Sequence, residues 1–122
     1  MQNLPIAFIG GGNMTRSLVG GLLMSGADPG QLWVAEPDSG QREFLRSHFG
    51  VHTSAANRDS AAQGRVLVLA VKPQVLCSAL QDVAAVAQQQ QPLVISIVAG
   101  VREPDIQRWL GYAAAIVRTM PN

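Results

Sequence analysis

Gly10-Gly11-Gly12-Asn13-Met14-Thr15 stands directly after an apolar run at residues 5–9 (PIAFI). It opens a segment over 13–24 whose apolar positions, Met14, Leu18, Leu22 and Leu23, keep helical period. That context gives the glycine spacing a chemistry. In the pattern G-x-G-x-x-G/A between strand and helix, the first glycine makes the tight turn. The second lets the backbone approach a pyrophosphate, and the third position stays small so that helix and strand can pack. Gly10 and Gly12 take the first two places, and Thr15, still a small side chain, takes the third. The N–H groups that a helix start leaves free, aided by the helix dipole, then face the phosphates.

The same chemistry requires an acidic residue at the end of the second strand, about 20 residues on. Glu36 stands there. A carboxylate in that place accepts hydrogen bonds from adenosine ribose hydroxyls, favours NAD and repels the 2′-phosphate of NADP. The nearest arginine, Arg42, sits at the start of the following helix, within reach of such a phosphate. In an open α/β sheet, ligands lie beyond the carboxyl ends of the strands. Those ends also carry Asn57, Ala70-Val71-Lys72-Pro73 and Ala99-Gly100. Lys72 offers a cation to a phosphate or a ribose hydroxyl, and Gly100 lets a ring approach the backbone.

These positions need a scaffold, and the patterning supplies one. Strands are expected at 5–9, 31–35, 51–55, 65–71, 92–98 and 113–119. Helices are expected at 13–24, at 40–48 capped by Ser39, at 57–63, at about 74–88 and at 103–110. Phe44, Leu45 and Phe49 are expected to face inward, and the glutamines at 88–91 to form a frayed helix end. The run at 65–71 is nearly all apolar, as a central parallel strand must be. Strand and helix alternate throughout. The expected fold class is therefore α/β: a Rossmann-like, doubly wound parallel sheet in a single domain over 1–122, covered on both faces with right-handed crossovers.

Other chemistries find no support in the residues. His48 and His52 straddle a helix end with no cysteine or acid beside them, so no metal site is expected. Cys77 lies on an apolar helix face and reads as packing, as do Trp33 and Trp109. The phosphate loop of ATPases, G-x-x-x-x-G-K-[ST], is absent. No residue presents itself as a general acid, so no catalytic residue is assigned. The net charge of +1 and 14% charged residues give no basic footprint for nucleic acid or membrane. No apolar run approaches the ~18 residues of a membrane span. With one cysteine and no signal-peptide pattern, a cytoplasmic location is expected.

Taken together, "FIGGGNMT" at 8–15, "LAVKPQ" at 69–74, "SIVAGV" at 96–101 and "VRTMPN" at 117–122 resemble the N-terminal domain of the pyrroline-5-carboxylate reductases. The resemblance implies an oxidoreductase of proline biosynthesis. Its members reduce 1-pyrroline-5-carboxylate to L-proline with hydride from NADPH or NADH. Gly10, Gly11, Gly12, Asn13, Met14 and Thr15 would wrap the pyrophosphate. Glu36 would sense the adenosine ribose, and Asn57 the adenosine end. Ala70, Val71, Lys72 and Pro73 would line the nicotinamide-side ribose, with Ala99 and Gly100 by the ring. The family favours NADPH, whereas Glu36 argues for NADH. The family's helical domain forms the homo-oligomer and most of the substrate pocket, and it lies outside these residues. The 122 residues alone are thus expected to bind cofactor without turnover. Two other readings stay open: a non-catalytic dinucleotide-sensing module, and the cofactor domain of a related imine or β-hydroxyacid-type reductase.

Overall fold

A computed structural model describes residues 4–119. Six strands, all parallel, form one sheet in the order β3-β2-β1-β4-β5-β6. The strands are β1 (Ile6–Ile9), β2 (Leu32–Ala35), β3 (His52–Ser54), β4 (Val66–Leu69), β5 (Leu93–Ser96) and β6 (Ile116–Arg118). The helices between them are α1 (Asn13–Met24), α2 (Ser39–Phe49), α3 (Asn57–Ala61), α4 (Pro73–Gln90) and α5 (Glu103–Leu110). The chain winds outward from β1 to β3, then returns beside β1 as β4 and continues to the other edge. The strand order therefore reverses between β1 and β4, and a crevice opens there at the carboxyl ends.

The central strands are apolar on both faces, with α3, α4 and α5 packed on one and α1 and α2 on part of the other. All four residues of β1 and of β4 are buried. Ala7, Ile9, Leu67 and Leu69 pack with Leu76, Leu80 and Val83 of α4 and Ile106 and Leu110 of α5. Ile6, Phe8, Leu32 and Val34 pack with Val19 of α1 and Leu45 of α2. Each such side chain contributes about 1.5–3 kcal/mol of burial.

Coverage is less complete than the alternation implied. With only α1 and α2 on the second face, the sheet beyond β1 is open there. Phe8, Val66, Val68, Leu93 and Ile95 line an apolar groove beside Leu18 and Leu22, with Thr119 at its rim. Among the described residues no helix is long and apolar enough to cross a membrane.

Several local expectations change. Asp38, not Ser39, caps α2, because its carboxylate reaches the Gln41 amide at 2.8 Å. Phe44 stays 37% exposed, stacked on His48 and covered by the Arg16 guanidinium, while Leu45 carries the burial. The glutamine tract is fastened, not frayed. Gln88 Nε2 donates to the Leu110 carbonyl and Gln90 Nε2 to the Ala62 carbonyl, both at 2.8 Å. All six strands are shorter than their apolar runs, since the run ends serve as turns at the sheet margins.

Candidate cofactor-binding site

The three glycines of the loop meet different surroundings. Gly10 has φ +103°, and a Cβ there would stand 2.6 Å from the Ala70 carbonyl oxygen. Only glycine lets the β1 and β4 ends approach so closely. A Cβ on Gly11 would stand 3.0 Å from both Glu36 Cβ and Leu45 Cδ1, so this residue is wedged against β2 and α2. Gly12 differs. A Cβ there would meet nothing within 4 Å. It is exposed, with the extended backbone of a helix N-cap.

Hydrogen bonds fix which amides remain free. The Gly10 amide donates to the Ala35 carbonyl and the Ala70 amide to the Ile9 carbonyl, both at 2.9 Å, extending the ladders past the strand ends. The Gly11 amide donates to Glu36 Oε1 at 2.9 Å. The fully buried Thr15 hydroxyl turns back to the Gly10 carbonyl and closes the loop from below. No side chain caps α1 and its first turn holds no acid. The amides of Gly12, Asn13 and Met14 find no acceptor among the described residues. They form a donor cluster at the positive end of a helix, suited to an anion.

Around the loop, one cleft gathers Gly10, Gly11, Gly12, Glu36, Asn57, Ala70, Val71 and Lys72 from the carboxyl ends of β1, β2 and β4 and the start of α3. Pro37, Gln41 and Val75 also line it and were not singled out from the sequence. Val75 carried a signal, an apolar residue at a helix start, yet its helical spacing reads equally as core; it is 44% exposed. Lys72 is exposed at the N-cap of α4, its extended conformation dictated by Pro73. Asn13, Met14, Thr15 and Pro73 adjoin the cleft without lining it. Ala99 and Gly100 form an exposed turn after β5, with Gly100 at φ +76°, and lie outside its lining.

Glu36 is held in place by backbone contacts. It is 8% exposed. Oε1 accepts from Gly11 and Oε2 from the Asp38 amide, each at 2.9 Å. Arg42 is drawn onto the same turn, Nη1 donating to the Glu36 and Pro37 carbonyls at 2.8 Å. Among the described residues no group of three metal-ligating side chains occurs.

Residues 5–100 match the family described as NADP oxidoreductase, coenzyme F420-dependent. The chain belongs to that family. The matched span runs from the residue before β1 to the turn after β5, and so contains the whole cleft. Over its full length the chain is 38% identical to a pyrroline-5-carboxylate reductase of Pseudomonas aeruginosa, covering 44% of that protein. It is 42% identical to one of Pasteurella multocida, covering 45%. The chain thus spans less than half the length of these curated relatives. A pyrroline-5-carboxylate reductase structure from Coxiella burnetii superposes over 98% of the chain and 44% of its own length, with TM-score 0.94 and 41% identity. The Plasmodium falciparum enzyme, solved with NADP bound, covers the whole chain and 44% of its own, with TM-score 0.84 and 24% identity; it shows the shared fold. The family likeness that the motifs carried therefore extends to the backbone. Met120, Pro121 and Asn122 of the last motif lie outside the described residues.

Proposed function

We propose that this chain is the NADPH- or NADH-binding domain of a pyrroline-5-carboxylate reductase. One observation carries the reading. The free amides at the start of α1 stand beside a glycine whose Cβ position is open, at the point where the strand order reverses. A pyrophosphate needs that arrangement: donors that are not already paired, and a backbone it can touch. The open Cβ position at Gly12 is a cradle that a side chain would fill.

In this reading the amides of Gly12, Asn13 and Met14 hold the pyrophosphate, and Lys72 supplies the cation of the cleft. Asn57 and Pro37 border the adenosine end, while Val71 and Ala70 flank the nicotinamide-side ribose. Ala99 and Gly100 stand toward the ring. The nucleotide, when bound, supplies the hydride. The chain's own part is to bind and orient it. Among the described residues, the only ionisable ones lining the cleft are Glu36 and Lys72. Both oxygens of Glu36 are occupied by backbone amides. Proton donation and imine binding are therefore assigned to the part of the reductase that lies outside these residues, where its self-association is also placed. The whole protein would reduce 1-pyrroline-5-carboxylate to L-proline.

The test is nucleotide binding followed by turnover. NADPH and NADH are titrated against the intact protein by nucleotide fluorescence at one stated salt concentration, and oxidation of NADPH is then followed with 1-pyrroline-5-carboxylate. Micromolar binding and substrate-dependent oxidation are expected. Binding of neither nucleotide refutes the reading, and binding without turnover removes the substrate assignment.

A further inference from the structure

Resting on the dinucleotide reading, we propose that Glu36 is a positioning residue that clamps the glycine loop to the start of α2, and that it does not choose between NADH and NADPH. The geometry is a chain of ties across three elements. β1 and β2 pair in register through Ile9 and Ala35. The Gly10 amide extends that ladder by one bond, to the Ala35 carbonyl. At Gly11 the acceptor is no longer a β2 carbonyl but the Glu36 side chain. The other carboxylate oxygen holds the Asp38 amide, and Asp38 in turn caps α2 at Gln41. Arg42, one turn into α2, closes on the Glu36 and Pro37 carbonyls. The Glu36 amide itself is tied to the Ser54 carbonyl of β3.

Among the described residues the carboxylate is thus the one group that bonds both the glycine loop and the turn before α2. Its stem fills the space beneath Gly11, where a Cβ would come within 3.0 Å. Bonds from amides to a charged acceptor are the strong kind. The ties engage the Gly11 amide and leave the next three amides without an acceptor among the described residues. The pyrophosphate that those amides receive is common to NADH and NADPH. Loosening the clamp should therefore weaken both nucleotides by one factor. A carboxylate oxygen has lone pairs to spare, so a ribose-reading role is separated from a clamping role by the ratio of two affinities.

The experiment uses the intact protein and two variants, Glu36→Ala and Glu36→Gln. Both nucleotides are titrated, KM and kcat are measured for each, and amide exchange at Gly11 and Asp38 is followed without nucleotide. In Glu36→Ala the Kd for NADH and for NADPH should each rise about tenfold or more, since a hydrogen bond to a charged group contributes roughly 1.5–3 kcal/mol. Their ratio should stay within about twofold, with KM raised and kcat retained. Gly11 should lose exchange protection. Glu36→Gln keeps an acceptor for Gly11 but sets an NH2 against the Asp38 amide. Protection at Gly11 should return and the affinity loss should shrink to a few-fold, with Asp38 still exchanging fast. If Glu36→Ala does not fold, the Gln variant decides by the same ratio. Weaker NADH with unchanged or tighter NADPH overturns the proposal, as does unaltered exchange at Gly11. The exchange readout needs no nucleotide, so the clamp stands or falls on it even if wild-type protein binds neither.

Discussion

Replacing Gly12 by alanine should separate binding from stability, because its added methyl meets nothing in the protein. The stability effect can be worked term by term. As an N-cap, glycine ranks well above alanine, so the exchange costs about 0.5–1 kcal/mol. The backbone there, φ −82° and ψ −162°, is extended and open to alanine without strain. Alanine's stiffer unfolded chain then returns about 0.4–1 kcal/mol. With no atom within 4 Å of the new Cβ, no overlap term is added. The denaturation midpoint should stay close to wild type. Binding should not, because on the proposed reading the methyl stands where the phosphates touch the backbone. Loss of one charge-assisted bond, about 1.5–3 kcal/mol, raises Kd roughly 10- to 150-fold.

Gly10→Ala is the matched control. Its backbone conformation costs about 1–2 kcal/mol for a residue with a Cβ. The 2.6 Å approach to the Ala70 carbonyl adds about 1–3 kcal/mol of overpacking. Urea denaturation and nucleotide fluorescence titration of both variants form the assay. If Gly12→Ala binds NADPH within twofold of wild type, the cradle is not the phosphate site. If it loses as much stability as Gly10→Ala, the reading of open space at Gly12 is wrong.

Thr15→Val keeps the shape but removes the buried hydroxyl that serves the Gly10 carbonyl, and should cost about 1 kcal/mol in denaturation. Tyr112→Phe should be neutral or stabilising, since the buried tyrosine hydroxyl has no partner among the described residues. Burial raises the Tyr112 pKa above its ordinary value of 10.0. The folded state thus keeps this proton longer than the unfolded one, and stability should fall as pH rises beyond about 10. The phenylalanine variant should lose that part of the alkaline slope, and an unchanged slope would remove Tyr112 as its cause. Leu93, 40% exposed on the open sheet face, should promote association of the isolated 122 residues at high concentration. Leu93→Lys should shift light scattering toward monomer, and equal scattering from both proteins would exclude that face.

Local pattern carried most of the fold. Strand-length runs and helical spacing located all six strands and five α-helices, though not the 3-10 turn at Pro29–Gln31, and α1 and α5 have the predicted limits. These signals act within a few residues of the chain: an apolar face must be buried whichever partner buries it, and Pro73 and the glycines set their turns on the spot. The strand-then-glycine-then-helix order was likewise enough to place the glycine turn between β1 and α1. What stayed hidden depended on partners distant in sequence. Asp38 and Ser39 are both good caps, and the direction of the turn after β2 decided between them. The glutamine tract looked frayed because its acceptors, Leu110 and Ala62, come from other elements. Sequence position supplies the Glu36 carboxylate but not its hydrogen bonds to the Gly11 and Asp38 amides. Only when β1 lies beside β2 does the Gly11 amide meet that carboxylate, which joins the glycine loop to the turn before α2.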